Sequence, residues 1–186
     1  MWMPATLHRS VIRGRLAIDI GLVIAASAII AIAAQIAIPM PFSPVPLTLQ
    51  PLAVIFIGAA LGAWRGAAAA SLYLLEGVSG LPVFAQGHGG AVWLLAPTAG
   101  YLLSYPLAAY VAGKISKPAI AGMFLALAVI YAGGWSWLVR FAGMRGAFAM
   151  GVAPFVVADI IKVAIGASLL PYAKRVVARI SVHPER

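Results

Sequence analysis

The residues best suited to chemistry are a carboxylate and an ammonium inside an apolar segment. Asp159 and Lys162 lie in the run Pro154–Val163, which otherwise has the composition of a membrane-spanning helix. Each charge costs about 2.5–3.5 kcal/mol at the centre of such a helix, so an intramembrane ionisable pair indicates a functional site. A spacing of three residues places both side chains on one helical face. The alternative is an ion pair that only fastens two helices together.

The composition identifies the class of protein that must position this pair. The 186 residues are 63% hydrophobic and 9% charged, against about 45–50% apolar and about 25% charged in soluble domains. We therefore expect one integral membrane domain over residues 1–186. The net charge of +9 is explained by membrane topology, so no nucleic-acid partner is expected. The chain has no cysteine, which excludes thiolate metal sites, and neither a metal nor a cofactor is expected.

The hydropathy pattern predicts an all-α membrane protein with six transmembrane helices. Two irregular connectors separate some of them: the proline-dense segment Pro39–Pro46, which cannot be interior helix, and the glycine-rich loop 84–90. Residues 140–151 are expected to form a loop with a short amphipathic helix. The predicted spans, each of about membrane length or slightly less, are 17–38, 48–63, 67–82, 95–113, 119–138 and 154–172.

The distribution of basic residues orients the predicted spans. With both termini cytoplasmic, only Arg140 and Arg145 fall on the outer side, which fits the positive-inside rule. The proline connector, the glycine loop and the start of the sixth span then converge at the extracellular end, where we expect the ligand pocket. The ten cations on the cytoplasmic side are Arg9, Arg13, Arg15, Arg65, Lys114, Lys117, Lys174, Arg175, Arg179 and Arg186.

Several separated motifs lie in order along about residues 27–172. They are Gln35…Pro39, PVPLTLQ at 44–50, YLLEGVSGLPVFA at 73–85, PTAGYL at 97–102, and Gly151…Pro154-Phe155…Asp159…Lys162. Together these motifs resemble one membrane protein family, BioY, whose members are the biotin-binding S components of energy-coupling factor (ECF) transporters.

The resemblance implies biotin uptake across the inner (plasma) membrane. It implies capture of biotin from outside, in contact with membrane lipid, and partnership with a transmembrane coupling protein and two ATPase subunits. The chain itself has no Gly-x-x-x-x-Gly-Lys-Ser/Thr motif with which to hydrolyse ATP. We therefore expect a binding subunit and not an enzyme.

Biotin requires an acceptor and a donor for its ureido head, apolar walls and an anion site for its carboxylate. Asp159 and Lys162 are the candidates for the head. Backbone N–H groups of 86–90 can form an anion-binding nest, with His88 adding a hydrogen bond. Gln50 is either a ligand contact or a helix cap. The predicted contacts are Asp159, Lys162, Gln50, Tyr73, Phe84, Gln86, His88, Gly89, Trp93 and Tyr101.

Small residues recur along the first span and predict a close helix–helix contact. In the family such a face docks the coupling protein, which makes Gly21, Ala25, Ser27 and Ala31 the candidates; internal packing is the alternative. Internal packing is the expectation for Gly58, Gly62 and Gly66. Near the cytoplasmic end, Asp19 is expected to pair with Arg15 at i, i+4. Glu76 is expected either to pair with Lys162, to bind the ligand or to join a structural network.

Three other functions remain open from the residues alone. An intramembrane enzyme is disfavoured because the chain lacks His-Glu-x-x-His and Gly-x-Ser-x-Gly motifs; a Ser79/His88 dyad is conceivable, but turn chemistry explains Ser79. An S component for another vitamin would share the same fold. A purely structural membrane subunit would have no need of Asp159 and Lys162 beside an open polar loop.

Overall fold

The computed structural model describes the backbone of residues 5–182 and the side chains of residues 14–181. The predicted positions of Arg9, Arg13 and Arg186 therefore lie outside the described side chains. Within the described chain the fold is all-helical, apart from one two-stranded hairpin, and the prediction of six helices is confirmed. They are α1 (Ala5–Gln35), α2 (Gln50–Leu61), α3 (Ala63–Val78), α4 (Ala99–Lys114), α5 (Ala119–Gly151) and α6 (Val156–Val182).

Three of these helices contain segments that are both long and apolar enough to cross a membrane unaided. Their candidate spans are Gly14–Gln35, Ala119–Gly151 and Val156–Ser181. The helices between them are shorter, since α2 has 12 residues and α3 and α4 have 16 each. Large apolar side chains nevertheless face outward from the bundle, for example Ile32, Leu75 and Leu107. Such exposure is what a lipid-facing surface requires.

Most predicted span boundaries differ from the helix ends; the sixth span, for example, was predicted as 154–172, and α6 continues to Val182. The first helix ends at Gln35 and not at residue 38, because β1 (Ala37–Ile38) pairs antiparallel with β2 (Leu47–Thr48) and closes the proline connector into a hairpin. Residues 140–151 were expected to form a loop with a short amphipathic helix; they are helical, and a kink at Gly143 separates the short terminal helix from the rest of α5. The direction changes at Gly143, whose φ of 67° and ψ of 171° are accessible to glycine at little cost. That bend turns the last part of α5 back toward the bundle.

Glycines allow α2, α3 and α4 to approach one another at backbone distance. A Cβ at Gly58 would overlap the main chain of Ala109 in α4, and one at Gly66 would overlap Gly58 itself. Internal packing is therefore confirmed for Gly58 and Gly66. Gly62 instead forms the turn between α2 and α3, with a φ of 89°.

Alanine at position 58 is expected to destabilise the bundle by about 1–3 kcal/mol, because the added methyl group overpacks a backbone contact. The measurement is thermal unfolding of the purified chain in detergent. Gly21→Ala is the matched control, since nothing lies within 4 Å of a Cβ there. Equal unfolding temperatures for the two variants would contradict this packing.

The end of the bundle at which α1 begins and α6 ends also carries most of the described basic side chains. There Asp19 in α1 forms an ion pair with Arg65 in α3, at 2.6 Å. The expected Asp19–Arg15 pair is therefore wrong: the carboxylate bridges two helices instead of binding one turn back along its own. At the other end α1, α3 and α5 finish, and α2, α4 and α6 begin.

Candidate functional site

A cavity lies at the end of the bundle at which α2, α4 and α6 begin. It offers about 110 Å³ of free space to a water molecule. The β-hairpin and the start of α2 form one side, the loop between α3 and α4 another, and α4, α5 and α6 the rest. Most of its wall is apolar or aromatic, which is typical of sites for small organic ligands. The wall residues include Pro44, Val45, Pro46, Pro51, Phe84, Trp93, Tyr101, Leu102, Ile130 and Phe155.

The Asp159–Lys162 pair lies in the wall of this cavity. Lys162 Nζ donates to Asp159 Oδ1 at 2.8 Å and to the main-chain oxygen of Thr48 at 2.8 Å. Asp159 is only 4% exposed. Within the described residues two of the three ammonium donors are thus used, which leaves one for a ligand. The pair links α6 to β2 through Lys162, and both side chains also line the cavity.

Two tyrosines that the sequence did not single out complete this polar group. Tyr131 in α5 donates its hydroxyl to Asp159 Oδ2 at 2.7 Å. Tyr105 in α4 is 3% exposed and lines the cavity, and its hydroxyl makes no hydrogen bond to any described residue. A buried polar group normally has a partner, so Tyr105 offers its hydroxyl to a ligand or to water.

Gln50 and Tyr73 form a connected pair in which only Gln50 lines the cavity. Gln50 Nε2 donates to the Tyr73 hydroxyl, which in turn donates to the main-chain oxygen of Val83 at 3.1 Å. Tyr73 is fully buried and absent from the cavity wall. The expectation that Tyr73 is a wall residue is therefore wrong. Its ring packs edge-to-face on Phe84, with centroids 5.6 Å apart, so it supports the wall from behind.

The loop after α3 covers the cavity with three of the predicted residues. Phe84 is 2% exposed, and its ring occupies the space that a side chain at Gly77 would need. Gln86 and His88 also line the cavity. The imidazole of His88 packs against Trp93 with ring centroids 4.2 Å apart, while its Nδ1 lies 2.8 Å from the main-chain oxygen of Ala85.

The predicted backbone anion nest is largely used by the protein itself. Gly87 N donates to Gln35 Oε1 at 3.0 Å, and His88 N donates to Ala85 at 3.4 Å. Gly89 lies outside the cavity wall, where its Cα packs against the main chain of Leu81. Gly89 is needed here for a close backbone approach, and its contact with a ligand stays a prediction. The sequence could not show where these N–H groups point.

Tyr101 is anchored while it lines the cavity. Its hydroxyl donates to the main-chain oxygen of Gly151 at 2.7 Å, which ties α4 to the end of α5. The loop cations lie elsewhere: Arg140 stacks over the ring of Trp137 at 4.3 Å, and neither Arg140 nor Arg145 belongs to the cavity wall. Eight of the ten predicted ligand contacts thus surround one space, namely Asp159, Lys162, Gln50, Phe84, Gln86, His88, Trp93 and Tyr101.

The small residues of α1 divide between two faces. Gly21 and Ala25 are exposed, as a docking face requires. Ser27 is fully buried and donates to Glu76 Oε2 in α3, so its assignment to a partner interface is wrong. Two residues rotate a helix by about 200°, which places Ser27 opposite Ala25. Ala31 shares the inner side with Ser27 and packs partly against the core.

The arrangement suits a small, mostly apolar ligand with a neutral polar head. A carboxylate can accept a hydrogen bond from such a head, while an ammonium and a hydroxyl can donate to it. The carboxylate and the ammonium are already neutralised by each other, so a charged head is not required. Within the described residues no group of three or more potential metal ligands occurs.

Comparison with solved structures shows the class of fold to which this arrangement belongs. The structure superposes on the crystal structure of the S-component for biotin from an ECF-type ABC transporter with a TM-score of 0.74, covering 95% of this chain and 94% of that one at 20% identity. The chain therefore has the S-component fold.

The sequence matches the BioY family over residues 5–179, and the chain belongs to that family. It is 41% identical over 147 residues to a protein of Pyrococcus horikoshii named probable biotin transporter BioY, covering 78% of this chain and 90% of that protein. It is 38% identical over 148 residues to the biotin transporter BioY of Thermotoga maritima, covering 76% and 86% respectively. The resemblance to BioY is thus confirmed.

Proposed function

We propose that this protein captures biotin as the substrate-binding S component of an ECF-type transporter. The observation that carries the proposal is the Asp159–Lys162 pair, which lines a cavity at one end of the bundle. Family membership indicates which ligand to propose, because the relatives described above are named biotin transporters. A structural ion pair alone would need neither the cavity nor the unpartnered hydroxyl of Tyr105.

In this proposal the ureido head of biotin lies against α6. Asp159 accepts a ureido N–H, and the third donor of Lys162 reaches the ureido carbonyl. Tyr105 offers its hydroxyl to the same head. The apolar ring and tail lie between the aromatic and proline walls, and the carboxylate points toward Gln86 and His88. The side-chain amide of Gln86 carries that anion contact, since Gly87 and His88 have committed their backbone N–H groups and His88 Nδ1 donates to Ala85.

We also propose that all six helices cross the inner (plasma) membrane, with both termini cytoplasmic and the cavity open to the outside. The short α2, α3 and α4 are each within a few residues of membrane thickness once their flanking segments are included. The distribution of basic residues supports this orientation, because cytoplasmic loops carry an excess of lysine and arginine. Arg65, Lys114 and Lys117 lie at the end of the bundle away from the cavity. Arg140 and Arg145 lie near the cavity end.

The energy for transport would come from partners. The proposed partners are a transmembrane coupling protein and two ATPase subunits. The ATPases would hydrolyse ATP, for which the chain has no phosphate-binding loop of its own. The exposed Gly21 and Ala25 on α1 allow a partner helix to approach at backbone distance. Ser27 and Ala31 are not part of this proposed contact.

Stabilisation by biotin tests the proposed function. A ligand that binds the folded state alone adds about 2.7 kcal/mol of stability at 100 times its dissociation constant. We expect a biotin-dependent rise in the unfolding temperature of the purified chain, with no rise for thiamin or riboflavin. A rise with another vitamin and none with biotin would assign a different substrate to the same fold.

Removal of the Tyr131 hydroxyl tests whether its hydrogen bond to the Asp159 carboxylate contributes to biotin binding. Phenylalanine at Tyr131 deletes the hydrogen bond to Asp159, and a bond to a charged group contributes about 1.5–3 kcal/mol. We expect biotin to bind about tenfold more weakly, as measured by equilibrium titration. Tyr110→Phe is the matched control, because Tyr110 packs on Trp64 at the far end of the bundle. Equal affinity in both variants would remove Tyr131 from the site.

A further inference from the structure

The last residue of α1 is bonded to the loop that covers the cavity. Gln35 Nε2 donates to the main-chain oxygen of Phe84 at 3.2 Å and approaches that of Val83 at 3.4 Å. Its Oε1 accepts the N–H of Gly87 at 3.0 Å. One amide group therefore holds both sides of the same short turn. The carbonyls and the N–H around it also fix which end of the amide is oxygen and which is nitrogen.

The turn held by Gln35 has a conformation that needs such support. Gln86 has a φ of 62° and Gly87 a φ of 73°. Two successive left-handed residues are unusual, and the first of them is not glycine. Gly87 N also approaches Phe84 O at 3.2 Å, so this N–H is shared between the turn and Gln35.

The same turn positions the residues that close the cavity. Phe84, Ala85, Gln86 and His88 all line the cavity. Gln35 itself is exposed and does not line the cavity. Loss of its amide would leave the cavity wall chemically unchanged and would remove only the tie between the turn and α1.

The helix that carries Gln35 is also bonded to α3 and presents the exposed small residues. Ser27 donates to Glu76 one residue before Gly77, against which Phe84 packs. Contacts of α1 thus reach both α3, just before the covering loop, and the turn within that loop. A shift of α1 relative to α3 would strain the contacts of Gln35, which lie at the end of α1.

We propose that Gln35 is a positioning residue that latches loop 83–88 shut, so that opening of the cavity depends on the position of α1. The proposal rests on the proposed function for its ligand, but the latch itself is a property of the unliganded protein. With the latch removed, the loop opens more often, and biotin leaves faster while its contacts in the cavity stay the same.

The experiment measures loop opening and ligand release separately. The chain has no cysteine, so Ala85→Cys, in the half-buried part of the loop, gives a single thiol. In the full-length protein without biotin, Gln35→Ala is expected to raise the rate of maleimide labelling at this thiol by about tenfold, because about two hydrogen bonds are lost. Gln35→Glu keeps the acceptor but has no N–H for the loop carbonyls, and it is expected to behave like alanine. Ile32→Ala, at an exposed position on the same helix, is the control.

The second readout is release of labelled biotin during a chase with unlabelled biotin. We expect dissociation about tenfold faster in both Gln35 variants and an association rate changed less than threefold, as for most interface changes. Unchanged labelling, or faster labelling with unchanged release, overturns the latch. Faster labelling in a protein that binds no biotin supports the latch and refutes the proposed function instead, so the two failures are distinguishable.

Discussion

Asparagine in place of Asp159 is expected to raise the dissociation constant for biotin by about 10- to 150-fold. The carboxylate is buried and accepts hydrogen bonds from Lys162 and Tyr131. A hydrogen bond to a charged group contributes about 1.5–3 kcal/mol, and 1.4 kcal/mol corresponds to a factor of ten. The amide has the same shape but one fewer acceptor oxygen, so a ureido N–H would lose its partner. Equilibrium titration with biotin measures the effect.

Asp19→Asn is the matched control for this change. Asp19 also pairs with a cation, Arg65, but at the opposite end of the bundle. Its replacement removes an equal charge from the protein and is expected to leave biotin affinity unchanged. If the two variants bind biotin equally well, Asp159 is not a ligand contact and the pair is structural.

The second large effect is expected at Lys162. Methionine keeps most of the apolar stem but removes the ammonium, which strands the carboxylate of Asp159 in a buried position. Loss of one partner of a buried pair costs about 3–5 kcal/mol. For a chain of this length, 3 kcal/mol lowers the unfolding midpoint by about 6–12 °C. Thermal unfolding in detergent, without biotin, measures this loss.

A double variant separates stability from binding. Asp159→Asn together with Lys162→Met removes both charges, so no unpaired charge remains buried. We expect it to recover at least half of the stability lost in Lys162→Met, while biotin binding stays at least as weak as in Asp159→Asn. A double variant as unstable as the single one would show that Lys162 stabilises the bundle chiefly through Thr48 and not through Asp159.

The helices and the central pair could be predicted from the sequence because both depend on local energetics. Apolar runs of suitable length must be helical in a membrane, and a charge pair within one of them is too costly to be incidental. The proline connector likewise could not be helix. These inferences need no knowledge of which elements become neighbours, and they led to Asp159 and Lys162 directly.

The remaining site residues depend on contacts between distant parts of the chain. Tyr105 and Tyr131 have the sequence context of ordinary core tyrosines, and only the packing of α5 against α4 and α6 brings them close to Asp159. Gln35 lies about fifty residues from the loop it holds. The error at Ser27 has a local cause, because a helix of many small residues has more than one small-residue face. The helical rotation between Ala25 and Ser27 could have shown from the sequence that the two residues lie on different faces.

Equilibrium dialysis of the purified, full-length protein against labelled biotin tests the central claim most directly. We predict saturable binding of one biotin per chain, displaced by unlabelled biotin, weakened about 10- to 150-fold in Asp159→Asn and unchanged in Asp19→Asn. Absence of saturable binding to the folded wild-type chain, or full binding by the Asp159 variant, would contradict the account.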